Sequence, residues 1–264
     1  MNKNKNKNKN KRLIYTVILG EYDDLLEVDN QAVDIDYICV TDNHNIKSQT
    51  WTVKYLPEDQ DPILLNRKYK MMPFLFFDYE QSLYIDGNIK ICADLNFIFD
   101  KYLNANDIAI PKHGFRDCLY KEADECIRSG KVSSCEVTKQ MQYYNKAKYP
   151  VENGLFENNV ILRNHTDKIK DAMSYWFELF VEYSKRDQLS LCFVLWSQKI
   201  NCAQITEGPR YSAKYLKLMF HNNEKKLPLL KKIKLYFSLN QKRHFLFGAI
   251  NYLLSLCIKI VQPK

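Results

Sequence analysis

An α/β domain, with a largely parallel sheet between layers of helix, is the fold class this sequence predicts, and three observations predict it. Short apolar, β-branched runs end abruptly in polar loops, as strands do when their carboxyl ends carry ligand-binding turns. Segments of helical period alternate with those runs, which is the order of a βα fold rather than of a sandwich or a bundle. At 264 residues, 46% hydrophobic and 27% charged, the chain can bury a full core and reads as one globular domain with appendages.

Leu13–Leu19 is the first such run and empties into Gly20-Glu21-Tyr22-Asp23. Asp36–Thr41 repeats the pattern before Asp42-Asn43, and Trp51–Tyr55 supplies a third strand, so the first part of the chain has the outline of a nucleotide-binding half. Pro62–Phe77 has helical spacing. Leu64, Leu65, Lys68, Met71, Met72 and Leu75 fall near one stripe expected to face the core, Arg67 and Lys70 lie on a polar flank, and Pro73 is expected to end or kink the helix.

The densest chemistry lies in Ser82–Ile91. Leu83 and Ile85 alternate on one side of Asp86-Gly87-Asn88, and Ile89 and Ile91 on the other, so a strand runs into an acidic turn and a second short strand leaves it. Asp-Gly-Asn between strands is ordinary hairpin chemistry. The same oxygen-bearing residues also suit a hard cation held against a diphosphate, because Mg²⁺ and Mn²⁺ bind through a few protein oxygens plus phosphate oxygens.

Beyond the turn, Asp94–Leu103 reads as a helix, Asp107–Pro111 as a strand and Lys121–Arg128 as a helix, with His113 and Arg116 in the loop between. Residues 133–148 have the look of a tyrosine-bearing surface helix. Glu157-Asn158-Asn159 precedes an apolar strand, which is turn chemistry as readily as a site. Thr166–Tyr183 is an amphipathic helix, and Arg186–Trp196 begins another at whose mouth Asp187 is favoured by the helix dipole.

Charge divides the chain into three. Residues 1–12 form a Lys/Asn-rich, low-complexity tail expected to be disordered, 13–224 form the domain, and 225–264 form a basic amphipathic extension expected to be helical. The two ends hold 15 of the 39 basic residues and no acid, leaving 24 basic against 31 acidic residues between them, a net of −7. An acidic body argues against nucleic acid as partner, since that needs a basic face on the folded domain. The basic, apolar tail suits an anionic membrane surface instead, and Phe245–Val261, interrupted by Asn251 and Lys259, is at the short limit for spanning. Eight scattered cysteines with no C-x-x-C pair and no signal peptide ahead of them read as reduced thiols, and Cys118, Cys126 and Cys135 fit no common zinc framework. The expected location is therefore the cytoplasm, peripheral at the inner face of the cell membrane.

Taken as an ordered series, these blocks resemble a glycosyltransferase-like domain family of plant cell-wall and bacterial surface-polysaccharide proteins, related to nucleotide-sugar transferases of the GT-A fold. The series runs through Ile14-Tyr15-Thr16, Gly20-Glu21-Tyr22-Asp23, Asp36–Asp42, Arg67-Lys68-Tyr69-Lys70 and Leu83–Asn88. It continues with His113, Arg116, Cys118, Glu122-Ala123, Cys126, Gly154–Glu157, Arg163, Trp176 and Arg186–Ser190, covering roughly residues 13–200. The resemblance implies a Rossmann-type, mostly parallel GT-A-like sheet that binds a nucleoside diphosphate sugar. By it, Thr16, Tyr22 and Asp42 lie near base and ribose, Arg67, Lys70 and Asp86 near the diphosphate, and His113 and Arg116 near phosphate or acceptor.

The same resemblance implies Mn²⁺ or Mg²⁺ at Asp86, Asn88 and a late histidine, His221, although Asn88 departs from the Asp-x-Asp pattern and nothing around His221 sets it apart from a surface residue. By the resemblance Glu157 and Asp187 approach sugar and acceptor in a transferase moving a sugar to a glycan or lipid-linked acceptor in surface-polysaccharide synthesis; if it inverts, Asp187 is the expected base with Glu157 second, and if it retains, no dedicated base is needed. A metal-dependent nucleotide-sugar hydrolase and a non-catalytic sugar-nucleotide or glycan binder use the same residues and stay open.

Overall fold

Strand β1 (Arg12–Ile18) is buried almost throughout because its two faces meet two different apolar clusters, Leu13, Tyr15 and Val17 in one and Ile14 and Ile18 in the other. The structure, a computed structural model, describes residues 11–57 and 61–261. The Lys/Asn-rich tail expected to be disordered lies outside the described residues up to residue 10. Arg12, assigned to that tail by composition, instead opens β1, where its guanidinium donates to Gln81, Asn96 and Asp100.

The elements follow the expected alternation. After β1 come β2 (Ile35–Thr41), β3 (Thr52–Tyr55), α1 (Pro62–Met71), β4 (Gln81–Ile85), β5 (Ile89–Ile91), α2 (Asn96–Leu103) and β6 (Ile108–Ile110). Then come α3 (Leu119–Arg128), α4 (Ser134–Lys146), β7 (Val160–Asn164), α5 (Asp167–Glu182), α6 (Leu191–Ser197), β8 (Cys202–Gln204) and β9 (Leu216–Leu218). The C-terminal part is α7 (Asn222–Lys225), α8 (Leu229–Asn240) and α9 (Phe245–Val261).

Among the described residues a seven-stranded sheet has the order β3-β2-β1-β4-β7-β6-β8. Its pairs are parallel except where β7 runs antiparallel to both β4 and β6. The carboxyl ends of β1, β4, β6 and β8 therefore open on one edge, together with the amino end of β7. The two core clusters cover the two faces of this sheet.

Four local expectations change. The two strands flanking Asp86 are not a hairpin: β4 stays in the large sheet, while β5 leaves it and pairs antiparallel with β9. Helix α1 stops at Met71, and Pro73 begins a 3₁₀ turn, Pro73–Leu75, as a residue without an N–H should. Its buried residues are Tyr69, Lys70 and Met71, while Leu64 and Leu75 of the expected core stripe are exposed; only the last turn of α1 is driven against the sheet. Helix α4 is not a surface helix throughout, because Val137, Gln140 and Tyr144 are buried and Tyr144 stacks on Phe193 at 4.0 Å. Asp187 does not start α6 but sits in a 3₁₀ turn, Asp187–Leu189, ahead of it.

Candidate active site

The strand ends surround a cleft of about 810 Å³. Its floor is the Asp86 turn, fixed by the Asp86 N–H donating to the Asn159 carbonyl at 2.9 Å across β4 and β7. Gly87 is required by a close approach: a Cβ there would meet Ile18 Cγ1 at 3.0 Å and Asp23 at 3.3 Å. At the neighbouring loop Gly20 takes φ +64, a left-handed backbone that favours glycine, and both oxygens of Asp42 accept its N–H at 2.9 and 3.1 Å.

One wall is cationic. The ammonium of Lys70 stands 2.9 Å from Asp187 and 3.3 Å from Asp86, and the Tyr84 hydroxyl donates to the same Asp86 oxygen at 2.8 Å. Arg67 lies 3.8 Å from Asp187. Burial by itself would raise the Asp187 carboxyl, but Lys70 and Arg67 outweigh it and hold the group well below the usual carboxylate range. The Nε groups of Arg67 and Arg186, both on this wall, are buried without a hydrogen-bond partner.

Arg163 secures this wall from beneath. It is fully buried on β7, and its guanidinium donates to the Lys70 carbonyl at 2.8 Å, the Met71 carbonyl at 3.1 Å and the Tyr15 hydroxyl at 3.2 Å. Those carbonyls are the unpaired acceptors at the end of α1, so one side chain both caps the helix and sets where Lys70 projects.

The opposite wall pairs acids with arginines. Arg210 donates to Glu157 Oε1, whereas Glu157 Oε2 is buried with no hydrogen-bond partner. Burial raises the Glu157 carboxyl against the pull of Arg210, and the nearby charges of Asp86 and Glu122 raise it further. Arg116 donates to buried Glu122. His113 Nδ1 accepts the N–H of Arg116 at 2.9 Å, and burial pushes the imidazole down to about 4 despite Glu122 beside it, so it is neutral at physiological pH.

At the mouth, Tyr22 sits edge-on to His221 with ring centroids 5.0 Å apart, and His221 Nδ1 stands 2.9 Å from Asp23. Burial would lower the imidazole, but Asp23 raises it on balance. Lys225 and Asn222 bond Asp24 alongside, so α7 closes on the β1 loop.

The residues expected to hold a metal, Asp86, Asn88 and His221, all line this cleft. Lys70 and Tyr84 both engage Asp86 Oδ1, Asp23 engages His221 Nδ1, and the Asn88 side-chain amide donates to the Met219 carbonyl at 3.1 Å while the Asn88 backbone carbonyl accepts the Met219 N–H at 2.8 Å, so Asp86 Oδ2, Asn88 Oδ1 and His221 Nε2 take no part in these bonds. Asn88 thus extends the β5–β9 ladder, with its side-chain N–H₂ supplying a donor that a carboxylate lacks. Among the described residues no three His, Cys, Asp or Glu side chains are grouped to hold an ion, Cys118, Cys126 and Cys135 included.

Of the residues singled out from sequence, the cleft is lined by Tyr22, Arg67, Lys70, Asp86, Asn88, His113, Arg116, Glu157, Asp187 and His221. Thr16 is buried inside β1, and Asp42 braces the Gly20 loop; neither lines the cleft. Asp23, Glu122 and Arg186 also line it; each falls in the series above, but the sequence attached no role to these three residues. Arg210 carried no signal at all, because it reaches Glu157 from a loop 53 residues away.

Comparison with known proteins bears on this geometry. A 131-residue stretch is 28% identical to the probable hexosyltransferase MUCI70 of Arabidopsis thaliana, covering 46% of this chain and 22% of that protein, so the chain spans about a fifth of that relative's length. Among solved structures it is similar to mouse xyloside xylosyltransferase 1 (TM-score 0.41, 8% identity, 73% of this chain and 84% of that one). It is similar also to the WbbM bifunctional glycosyltransferase (0.42, 10%, 87% and 44%). A third is GlyE of Streptococcus pneumoniae (0.40, 11%, 74% and 45%). Residues 67–226, more than half of the chain and two-thirds of the residues that line the cleft, match one family profile, and the chain belongs to the TOD1/MUCI70 glycosyltransferase-like domain family.

Proposed function

We propose that the chain is a glycosyltransferase that moves a sugar from a nucleoside diphosphate sugar to an acceptor hydroxyl on a glycan or lipid-linked glycan of a surface polysaccharide. The observation that carries this reading is the division of one cleft into a wall of Lys70, Arg67 and Arg186 and a wall holding Glu157 with an unpartnered, buried oxygen. The first suits a diphosphate, whose negative charge grows as it leaves. The second suits an acceptor hydroxyl that must give up its proton as it attacks.

The step balances simply. The bond from the sugar's anomeric carbon to the diphosphate oxygen breaks with its electron pair on the diphosphate, a bond to the acceptor oxygen forms, and the acceptor proton passes to Glu157 Oε2. Glu157 is preferred to Asp187 as base because burial raises its affinity for a proton, whereas Lys70 and Arg67 suppress that of Asp187. Asp187 becomes the residue that positions Lys70. Direct displacement of this kind inverts the anomeric centre.

The decisive experiment is incubation of the purified chain with a panel of nucleoside diphosphate sugars and glycan acceptors, with product anomers read by NMR. Transfer with inversion is expected. Release of free sugar in place of transfer would make it a hydrolase, and binding without turnover would make it a sugar-nucleotide binder.

The C-terminal hairpin supports a membrane-borne acceptor. Helices α8 and α9 pack together through Phe237 and Phe247, with ring centroids 5.6 Å apart, yet Leu229, Leu230 and Phe245 remain 72%, 75% and 76% exposed. Lysines 231, 232, 234 and 242 accompany them, and Ser238 and Leu239 of α8 line the cleft. A basic, apolar hairpin beside the cleft suits an anionic membrane face, with the enzyme peripheral on its cytoplasmic side and a lipid-linked acceptor delivered to the mouth. No helix of the described residues is long and apolar enough to cross a membrane.

A further inference from the structure

We infer that Phe115 and Arg210 form the acceptor subsite, with Phe115 as the platform on which a sugar ring of the acceptor stacks and Arg210 as the donor that holds one of its hydroxyls. The inference rests on the transferase reading and names what the second wall of the cleft binds.

Three observations carry it. The first is a ring set in place with part of its surface left open. The Arg210 guanidinium lies over Phe115 with its carbon 5.1 Å from the ring centroid, and His113 meets the ring edge-on at 6.0 Å, so two neighbours fix its orientation. Phe115 is nevertheless 43% exposed, and it lines the cleft. The second is position. Phe115 follows β6, which lies across β4 and β7 from β1, whose loop carries Tyr22 to the other end of the cleft. Arg210 ties the platform to Glu157, the base of the proposed transfer.

The third observation points to the ligand. Arg210 and Glu157 are joined through Nε and Oε1 alone, while Arg210 Nη1 and Glu157 Oε2 are both buried without a hydrogen-bond partner among the described residues. Beside one aromatic ring there are thus one open donor and one open acceptor. A pyranose matches that set, because one face of the ring presents C–H groups and its rim presents hydroxyls that both accept and donate. An anionic group would satisfy Arg210 but be repelled by Glu157, and an apolar group would leave both unpaired.

The two loops that form the subsite are tied down. His113 is buried, and its Nδ1 accepts the N–H groups of Phe115 at 3.3 Å and Arg116 at 2.9 Å. The Tyr211 hydroxyl donates to the Lys112 carbonyl at 3.3 Å. Arg243, in the turn between α8 and α9, donates to the Pro209 carbonyl at 2.6 and 3.2 Å. A subsite held this way meets its ligand with little left to order.

The test uses the full chain in buffer with Mn²⁺, with the methyl glycosides of glucose, galactose, mannose and N-acetylglucosamine as acceptor probes and UDP, GDP, ADP and CDP as donor probes. Saturation-transfer NMR is expected to show at least one glycoside bound, with transfer strongest to the C–H groups of one ring face. Phe115→Ala is expected to weaken that glycoside by roughly tenfold at an unchanged melting temperature, and Phe115→Tyr to keep most of the affinity. Because Arg210→Gln would leave buried Glu157 without its cation, Arg210→Lys is used instead; it keeps the charge, gives up the stacked guanidinium, and is expected to lose several-fold. A Phe115→Ala chain that binds the glycoside as the parent does, or a parent that binds a nucleotide and no glycoside, overturns the inference while leaving the transferase reading standing. Loss of nucleotide in place of glycoside from Phe115→Ala would make the ring a platform for a base, and overturns it too. Failure of every nucleotide and every glycoside overturns the transferase reading, and this inference with it.

Discussion

Among the carboxyls of the cleft, Glu157 and Asp187 have surroundings that push their proton affinities in opposite directions. Glu157 is raised by burial with one arginine to oppose it, while Asp187, equally buried, is overruled by Lys70 and Arg67. The difference assigns their roles, and steady-state kinetics separates them. Glu157→Gln is expected to cut kcat by about 10²- to 10⁴-fold with donor KM little changed, the range for loss of a general base. Asp187→Asn releases Lys70, so it is expected chiefly to raise donor KM, and the pH profile of kcat/KM should keep the acid limb that protonation of Glu157 sets. An Asp187→Asn chain that loses kcat alone would return the base to Asp187. At this scale the sequence was most informative where chemistry is local: Asp86 is legible because a strand must end and a turn must begin there. Arg210 and Asp23 are not, since each acts only through a partner that folding brings from elsewhere.

Elements behave similarly. The end of α1 was legible because Pro73 cannot continue a helix, but the burial of Lys70 was not, because Arg163 on a strand 92 residues later in the sequence draws that last turn inward. The flanking apolar pairs around Asp86 marked two strands correctly, yet their partners were hidden. A hairpin is written locally in a turn, whereas the pairing of β5 with β9 is set by a strand far along the chain. The basic hairpin α8–α9 yields the prediction proper to this scale. In flotation, the full chain is expected to rise with anionic vesicles and not with neutral ones, and to be released as salt is raised. Each exposed basic side chain near such a surface contributes about 1 kcal/mol, screened by added salt. The double substitution Leu230→Asp and Phe245→Asp, both at exposed positions, should abolish flotation without altering the melting temperature. If the substituted chain floats as well as its parent, the hairpin is not the membrane contact.

For the whole molecule, the charge partition seen in the sequence persists as an α/β body with a basic helical hairpin beside its cleft, and the seven-strand order was not readable because no local signal orders strands. Stability should also carry the signature of the buried histidines. His113 and His165 are each pushed down to about 4 by burial, from an ordinary value of 6.5. Between those values the unfolded chain binds protons that the folded chain refuses, so stability falls as pH drops from about 6.5 toward 4, by about 3 kcal/mol for His113 alone. His221 acts in the opposite sense: its raised value contributes stability that is complete below about 6.5 and lost as pH rises through its folded value. Calorimetric melting from pH 4 to 8 is expected to show a steep acid limb, made shallower by His113→Gln. An unchanged limb would mean that the imidazole is protonated in the folded protein.

The pairing of β5 with β9 has a consequence for how the protein is made. When Ile89–Ile91 leaves the ribosome, the strand that will cover it, Leu216–Leu218, has more than a hundred residues still to be translated. A nascent chain therefore carries the Asp86 turn with an apolar, unpaired edge beyond it, the kind of edge that recruits other strands or a chaperone. The cleft becomes complete only once the β9 strand and the His221 latch have been synthesised and docked, so a stalled or shortened chain would have most of its sheet and no closed site.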